Sequence, residues 1–180
     1  MKIAINYNTN HKMVELKARV DELNVLRKKL SVIGAKYIGE VNQSDEYFVV
    51  PEGRLKLRTI KDSGTVELIY YERENIFGPK RDDVYILRVK ESNELKSILK
   101  KILKPLIVIE KDREIYEYQG TQIHLDHVKN LGKFIEFERK TSDNQKSVEK
   151  NQRILKKMME KFEIPPRNLE SLSYSDLVET

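Results

Sequence analysis

The chain contains no cysteine, which removes disulfides, thiolate catalysis and cysteine-ligated zinc from consideration. No apolar run reaches the ~18 residues that a membrane-spanning helix needs, and the opening residues carry no signal-peptide pattern. No glycine-rich loop of the P-loop or dinucleotide type is present. No Ser/His/Asp arrangement stands out, and His11, His124 and His127 have no recognisable metal-ligand spacing. Repeats, low-complexity stretches and linkers are also missing. These absences lead to the expectation of a soluble cytoplasmic protein, without a membrane partner, folded as one α+β domain over residues 12–180. Residues 1–11 are polar and read as a loose N-terminal segment.

Charge is what the chain has in quantity. Of 180 residues 35% are charged and 39% are apolar, and the net charge of +5 hides an abundance of both signs. A mild positive balance permits phosphate or nucleic-acid ligands without demanding them, and no DNA partner is expected. The charges repeat at every second position. Glu15, Lys17 and Arg19 alternate with Val14, Leu16, Ala18 and Val20. Lys56 and Arg58 alternate with Leu55 and Leu57, and Glu136 and Glu138 with Ile135 and Phe137. Side chains at i and i+2 of a strand share a face, so each segment has one apolar and one ionised face. Either the ionised faces meet solvent, or the strands close into a barrel with a charged lumen.

The elements follow from period and punctuation. Strands are expected at 14–20, 37–41, 45–49, 55–60, 66–73, 84–90, 106–118, 121–128 and 134–139. Asp21 is placed to cap a helix carrying Leu23, Leu26, Leu30 and Ile33, ending near Gly34. Further helices are expected from Ser92 or Asn93 to Leu103, over 144–163, and over 172–178. Residues 61–64 read as a hairpin turn, and 76–83, with Gly78-Pro79, as a loop.

Two constellations carry chemistry. The basic set is Lys17, Arg19, Lys56, Arg58, Arg73, Arg88, Lys111 and Arg113. Guanidinium and ammonium groups converging in a lumen would bind a triphosphate, which carries about four negative charges. The acidic set is Glu15, Glu67, Asp126, Glu136 and Glu138, and hard divalent cations prefer such oxygens. Cross-strand pairing of the two sets on a solvated face is the plainer reading of any one member.

In order along the chain, several motifs resemble the CYTH superfamily, the class IV adenylate cyclases and thiamine triphosphatases also called triphosphate tunnel metalloenzymes. They are Val14-Glu15-Leu16-Lys17-Ala18-Arg19-Val20, Asp45-Glu46-Tyr47-Phe48, Leu55-Lys56-Leu57-Arg58, Lys111-Asp112-Arg113, Ile123-His124-Leu125-Asp126 and Glu136-Phe137-Glu138. The stretch from Glu67 to Arg73, with Gly78-Pro79-Lys80, is more similar to the cyclase branch. The resemblance implies a closed or nearly closed antiparallel β-barrel with helices outside, and conversion of ATP to cyclic AMP and pyrophosphate. Lys56, Arg58, Arg73, Lys111 and Arg113 would clamp phosphates. Glu15, Glu136 and Glu138 would hold Mg²⁺ or Mn²⁺ with Asp126 nearby, and Lys17 would act as base or phosphate contact. Family analogy suggests a homodimer. Hydrolysis of inorganic, nucleoside or thiamine triphosphate is the alternative, followed by a binding module for triphosphate, polyphosphate or an RNA 5′ end. Two departures bear on this choice. The family opens Glu-x-Glu-x-Lys where this chain has Met13 first, and Gln122 stands where an arginine is common.

Overall fold

The alternation at every second residue resolves into eight antiparallel strands that close on themselves. The computed structural model describes residues 9–178. Its strands are β1 (Thr9–Val20), β2 (Lys36–Phe48), β3 (Arg54–Ile60), β4 (Thr65–Arg73), β5 (Lys80–Val89), β6 (Pro105–Tyr118), β7 (Thr121–Val128) and β8 (Gly132–Thr141). Round the barrel they run β1-β5-β4-β3-β2-β6-β7-β8. The helices are α1 (Leu23–Val32), α2 (Ser92–Ile102), α3 (Gln145–Lys161) and the short α4 (Tyr174–Val178).

Burial decides which face of each strand turns inward. Val14, Leu16 and Ala18 of β1, Ile123 and Leu125 of β7, and Ile135 and Phe137 of β8 point outward. They pack under Leu26 and Leu30 of α1 and Val148, Leu155 and Met158 of α3. A second outer cluster joins Phe48, Leu57 and Val66 to Leu99 of α2. Each such Val, Leu, Ile, Phe or Met side chain contributes roughly 1.5–3 kcal/mol when fully buried. A one-residue slip of any strand would exchange these residues for charges. On β1, β7 and β8 the apolar half of the alternation therefore lies beneath the helices and the charged half faces the lumen.

Connections obey local backbone chemistry. Gln119 and Gly120 join β6 to β7 with φ of 48° and 70°, the two positive φ values that a tight hairpin turn requires. Gly53 precedes β3 at φ +67°, and a Cβ there would stand 2.6 Å from the Tyr70 hydroxyl oxygen, so only glycine fits.

Four boundaries differ from the sequence reading. Thr9–His11, assigned above to a loose segment, pair with β5 as part of β1; residues 1–8 lie outside the described residues. The two strands expected at 37–41 and 45–49 are one, β2. Its polar middle does not break it because Gln43 lines the polar lumen and the Asn42 amide donates to Asp112 of β6. The expected loop at 76–83 ends early, since Lys80 opens β5. Charge on both faces of Lys80–Asp83 hides the alternation there. The cap of α1 falls at Glu22, without a side-chain hydrogen bond, rather than at Asp21.

Candidate active site

The inward faces of the strands enclose a cavity of about 360 Å³. Of the predicted cations, Lys17, Lys56, Arg58, Arg73, Lys111 and Arg113 line it, as do the predicted carboxylates Glu15, Glu67, Glu136 and Glu138. Two predicted cations do not. Arg19, at the end of β1, donates to the Leu131 carbonyl at 3.0 Å and lies over the Phe134 ring. Arg88, near the far end of β5, is exposed and donates to Thr65 at 3.0 Å. Both strands carry these residues past the cavity.

Asp45 organises one side. Its carboxylate accepts from Lys56 Nζ at 2.9 Å and from Arg58 Nε and a terminal nitrogen at 2.7 and 2.8 Å. Lys111 Nζ stands 3.8 Å away. Asp45 is 1% exposed. Burial opposes its ionisation, but the Arg58, Lys56 and Lys111 charges hold it well below the usual carboxylate range. One carboxylate cannot neutralise three cations, so this corner keeps surplus positive charge. Burial and the neighbouring Arg58 push the Lys56 amine down to about 7.

Arg113 organises the other side. It forms a two-pronged pair with Asp126 at 2.7 and 2.6 Å and also reaches Glu136. The Tyr174 hydroxyl donates to Asp126 at 2.8 Å. Asp126, predicted near a metal, is thus fully buried and committed to holding Arg113. Lys17 lies beside this group with Nζ 4.2 Å from the Tyr174 ring centroid. Burial lowers its pKa to about 8 against the pull of Glu136.

A third cluster includes residues that sequence reasoning missed. Arg73 pairs with Glu15, and Lys80, fully buried, stands 3.8 Å from Glu15 while donating to the Glu170 and Ser171 carbonyls. Asp82 is 2% exposed. Burial and the Glu15 charge raise its pKa well above the usual carboxylate range. Reading 76–83 as a loop concealed Lys80 and Asp82. The Asp45 motif was visible, but its three cationic partners come from other strands.

The donor set for a divalent cation is His124, Glu136 and Glu138, whose ligand atoms lie within 4.8 Å of one another. His124 Nδ1 sits 3.4 Å from Glu138 and 3.6 Å from Glu136. It is buried without a hydrogen-bond partner among the described residues. An orphaned imidazole nitrogen facing two carboxylates fits a divalent ion. Sequence spacing could not show this group, because His124 and Glu136 meet only as register partners of β7 and β8. Burial and Arg113 press the His124 pKa down, and Glu138 and Glu136 more than restore it.

The CYTH domain family model matches residues 11–167. A Methanocaldococcus jannaschii protein provisionally named an adenylate cyclase is 29% identical over 158 residues, covering 82% of this chain and 85% of its own. A Pyrococcus horikoshii structure superposes with a TM-score of 0.81 at 24% identity, over 92% of this chain and 98% of that one. A Hippeastrum protein, provisionally named an adenylyl cyclase and described as having a dominant triphosphatase activity, superposes with a TM-score of 0.65. It is 14% identical, over 92% and 93% of the two chains.

Proposed function

Because the chain belongs to the CYTH domain family, we propose that its lumen processes a triphosphate with a divalent cation, converting ATP to cyclic AMP and pyrophosphate. One observation carries the reading. The surplus cations around Asp45 share a single cavity with the His124, Glu136 and Glu138 group. An anion of several charges and a metal fit that pairing, and neither alone does. A cation held by these three residues, Mn²⁺ or Mg²⁺, would polarise a bound phosphate and acidify a hydroxyl beside it. An imidazole donor suits Mn²⁺ at least as well as Mg²⁺.

The protein side chains supply the rest. Lys56, Arg58 and Lys111 hold the phosphates, and Arg73 and Arg113 stabilise charge that gathers on the departing pyrophosphate. In cyclisation the 3′-oxygen bonds to the α-phosphorus as the bond to the β-phosphate oxygen breaks. Lys17, which burial lowers to about 8, would hold a phosphate oxygen in its charged form, or take the hydroxyl proton at Nζ in the neutral fraction that remains. Asp126 orients Arg113, and Glu15 orients Arg73.

Hydrolysis is the second reading, favoured by the activity described for the Hippeastrum neighbour. The product separates the two. Purified protein with ATP or inorganic triphosphate, each with Mg²⁺ or Mn²⁺, should yield cyclic AMP and pyrophosphate from ATP. Orthophosphate as the sole product would replace cyclisation with hydrolysis. Glu138→Ala should abolish metal-dependent turnover of either kind, and unchanged turnover would remove the metal assignment.

A further inference from the structure

Asp82 lines the cavity from β5 at 2% exposure, and its Oδ1 is buried without a hydrogen-bond partner among the described residues. Its carboxyl also contacts Glu15. Strand register arranges its surroundings in three successive inward rows. His124, Glu136 and Lys17 form one, and Glu138, Glu15 and Lys80 the next. Lys140, Met13, Asp82 and Arg73 form the third. Partners in register on one face have Cβ atoms about 4.5–5.5 Å apart. The motif that opens Glu-x-Glu-x-Lys in the family has Met13 in its first place here, and the strand beside it presents a carboxyl at the same row.

Arg73 is the plain partner for Asp82, standing opposite it on β4. It pairs with Glu15 instead, and its Nε and one terminal nitrogen are buried without a hydrogen-bond partner among the described residues. Donors and an acceptor thus stand unsatisfied on neighbouring strands, an arrangement that buried polar groups seldom keep. A phosphate alone would satisfy the donors and repel Asp82. A divalent cation alone would satisfy only the acceptor. A cation carrying a phosphate satisfies both, with Asp82 Oδ1 on the ion and a phosphate oxygen accepting from Arg73. One or two carboxylates with phosphate oxygens and waters are the usual ligands of Mg²⁺. An ion held by His124, Glu136 and Glu138 does not reach this far. His124 and Asp82 are two rows apart, roughly 13 Å along the strands at ~3.4 Å per residue.

We propose that Asp82 and Glu15 form a second divalent-cation subsite, in which Asp82 supplies from β5 the carboxylate that Met13 lacks on β1. Arg73 and Lys80 both approach Glu15 at Oε1, which leaves Oε2 to the ion. The ion binds together with the triphosphate, whose oxygens complete its shell and reach Arg73. The inference rests on the triphosphate and metal reading above and deepens it.

Electron paramagnetic resonance of Mn²⁺ tests it, with the protein saturated by a methylene-bridged, non-hydrolysable analogue of inorganic triphosphate. The spectrum counts bound ions and reports whether they are close. Wild type should hold two Mn²⁺ per chain, spin-coupled because their ligand sets occupy adjoining rows. Asp82→Asn should hold one, uncoupled, and its retention on the His124 group also shows that the variant is folded. Adding Met13→Glu to Asp82→Asn should restore the second ion and the coupling, which a merely structural role for Asp82 would not do. One ion in the wild type, two in Asp82→Asn, loss of both from Asp82→Asn, or no restoration in the double variant overturns the second subsite. Unchanged count in Asp82→Asn would make Asp82 a partner of Arg73 alone. Absence of any bound Mn²⁺ from the wild type overturns the metal reading itself.

Discussion

Asp45 holds three cations that would otherwise repel one another, so its loss is a test of how the lumen is held together. Removing one partner of a buried charged group costs roughly 3–5 kcal/mol, because the remaining charges stay buried without compensation. Asp45→Asn should therefore lower unfolding free energy by about that amount at pH 7, read from urea denaturation. The sign with pH follows from the direction of the shift. The folded-state pKa lies below the ordinary 3.8, so the stabilisation is present above that value and is lost as pH falls below it. The gap between wild type and variant should close in acid. A gap of the same size at pH 2 and pH 7 would mean that lost packing, not charge, sets the cost. Asp45 also shows what a single sequence conceals. Its place on a strand is legible from alternation with Glu46 and Tyr47. Its bonds to Lys56 and Arg58 on β3 and its proximity to Lys111 on β6 depend on register, which no spacing within one segment reveals.

At the scale of elements, the strands were legible because period-two alternation is strong when one face is ionised and the other aliphatic; their closure into a barrel was implied by the family resemblance. The expectation weakened where both faces carry charge, as at Lys80–Asp83, and where polar residues sit mid-strand, as at Asn42–Ser44. A polar lumen makes both patterns acceptable in a strand, and local rules assume an apolar interior. The outer helices were legible from their apolar stripes, and their energetic role can be isolated. Leu155 of α3 is fully buried against the outer faces of the strands. Leu155→Ala should cost about 2–5 kcal/mol, read as a lowered midpoint in chemical denaturation. Its side chain points away from the lumen, so affinity for triphosphate at temperatures where the variant is folded should match wild type. A large loss of affinity with the fold intact would show that α3 tunes the lumen rather than merely covering it.

For the whole molecule, enclosing so many ionised groups in one barrel couples ligand binding to protonation. Among the described residues no helix is long and apolar enough to cross a membrane; buried charged groups, Glu15, Lys17, Lys56, Lys111, Arg113 and Glu136 among them, line the lumen. There, burial penalises each lysine's charge. Lys56 titrates at about 7 and Lys17 at about 8, both far below an exposed amine at about 10.4. A polyanion placed against them favours the charged forms, so binding should take up protons wherever these lysines are partly neutral. As pH rises from 7 to 9 a growing fraction must be reprotonated for binding, and affinity for inorganic triphosphate should fall. The limit is about tenfold per pH unit for each lysine above its own pKa. Titration calorimetry in two buffers of different ionisation enthalpy measures that uptake directly. Lys56→Arg, charged throughout the range, should flatten the lower part of the profile and leave the fall through pH 8 that belongs to Lys17. Affinity independent of pH from 7 to 9, with no proton uptake, would show that both lysines stay charged in the free lumen. The Asp45 and Glu136 carboxylates would then outweigh burial, and the clamp would be fully charged before any ligand arrives.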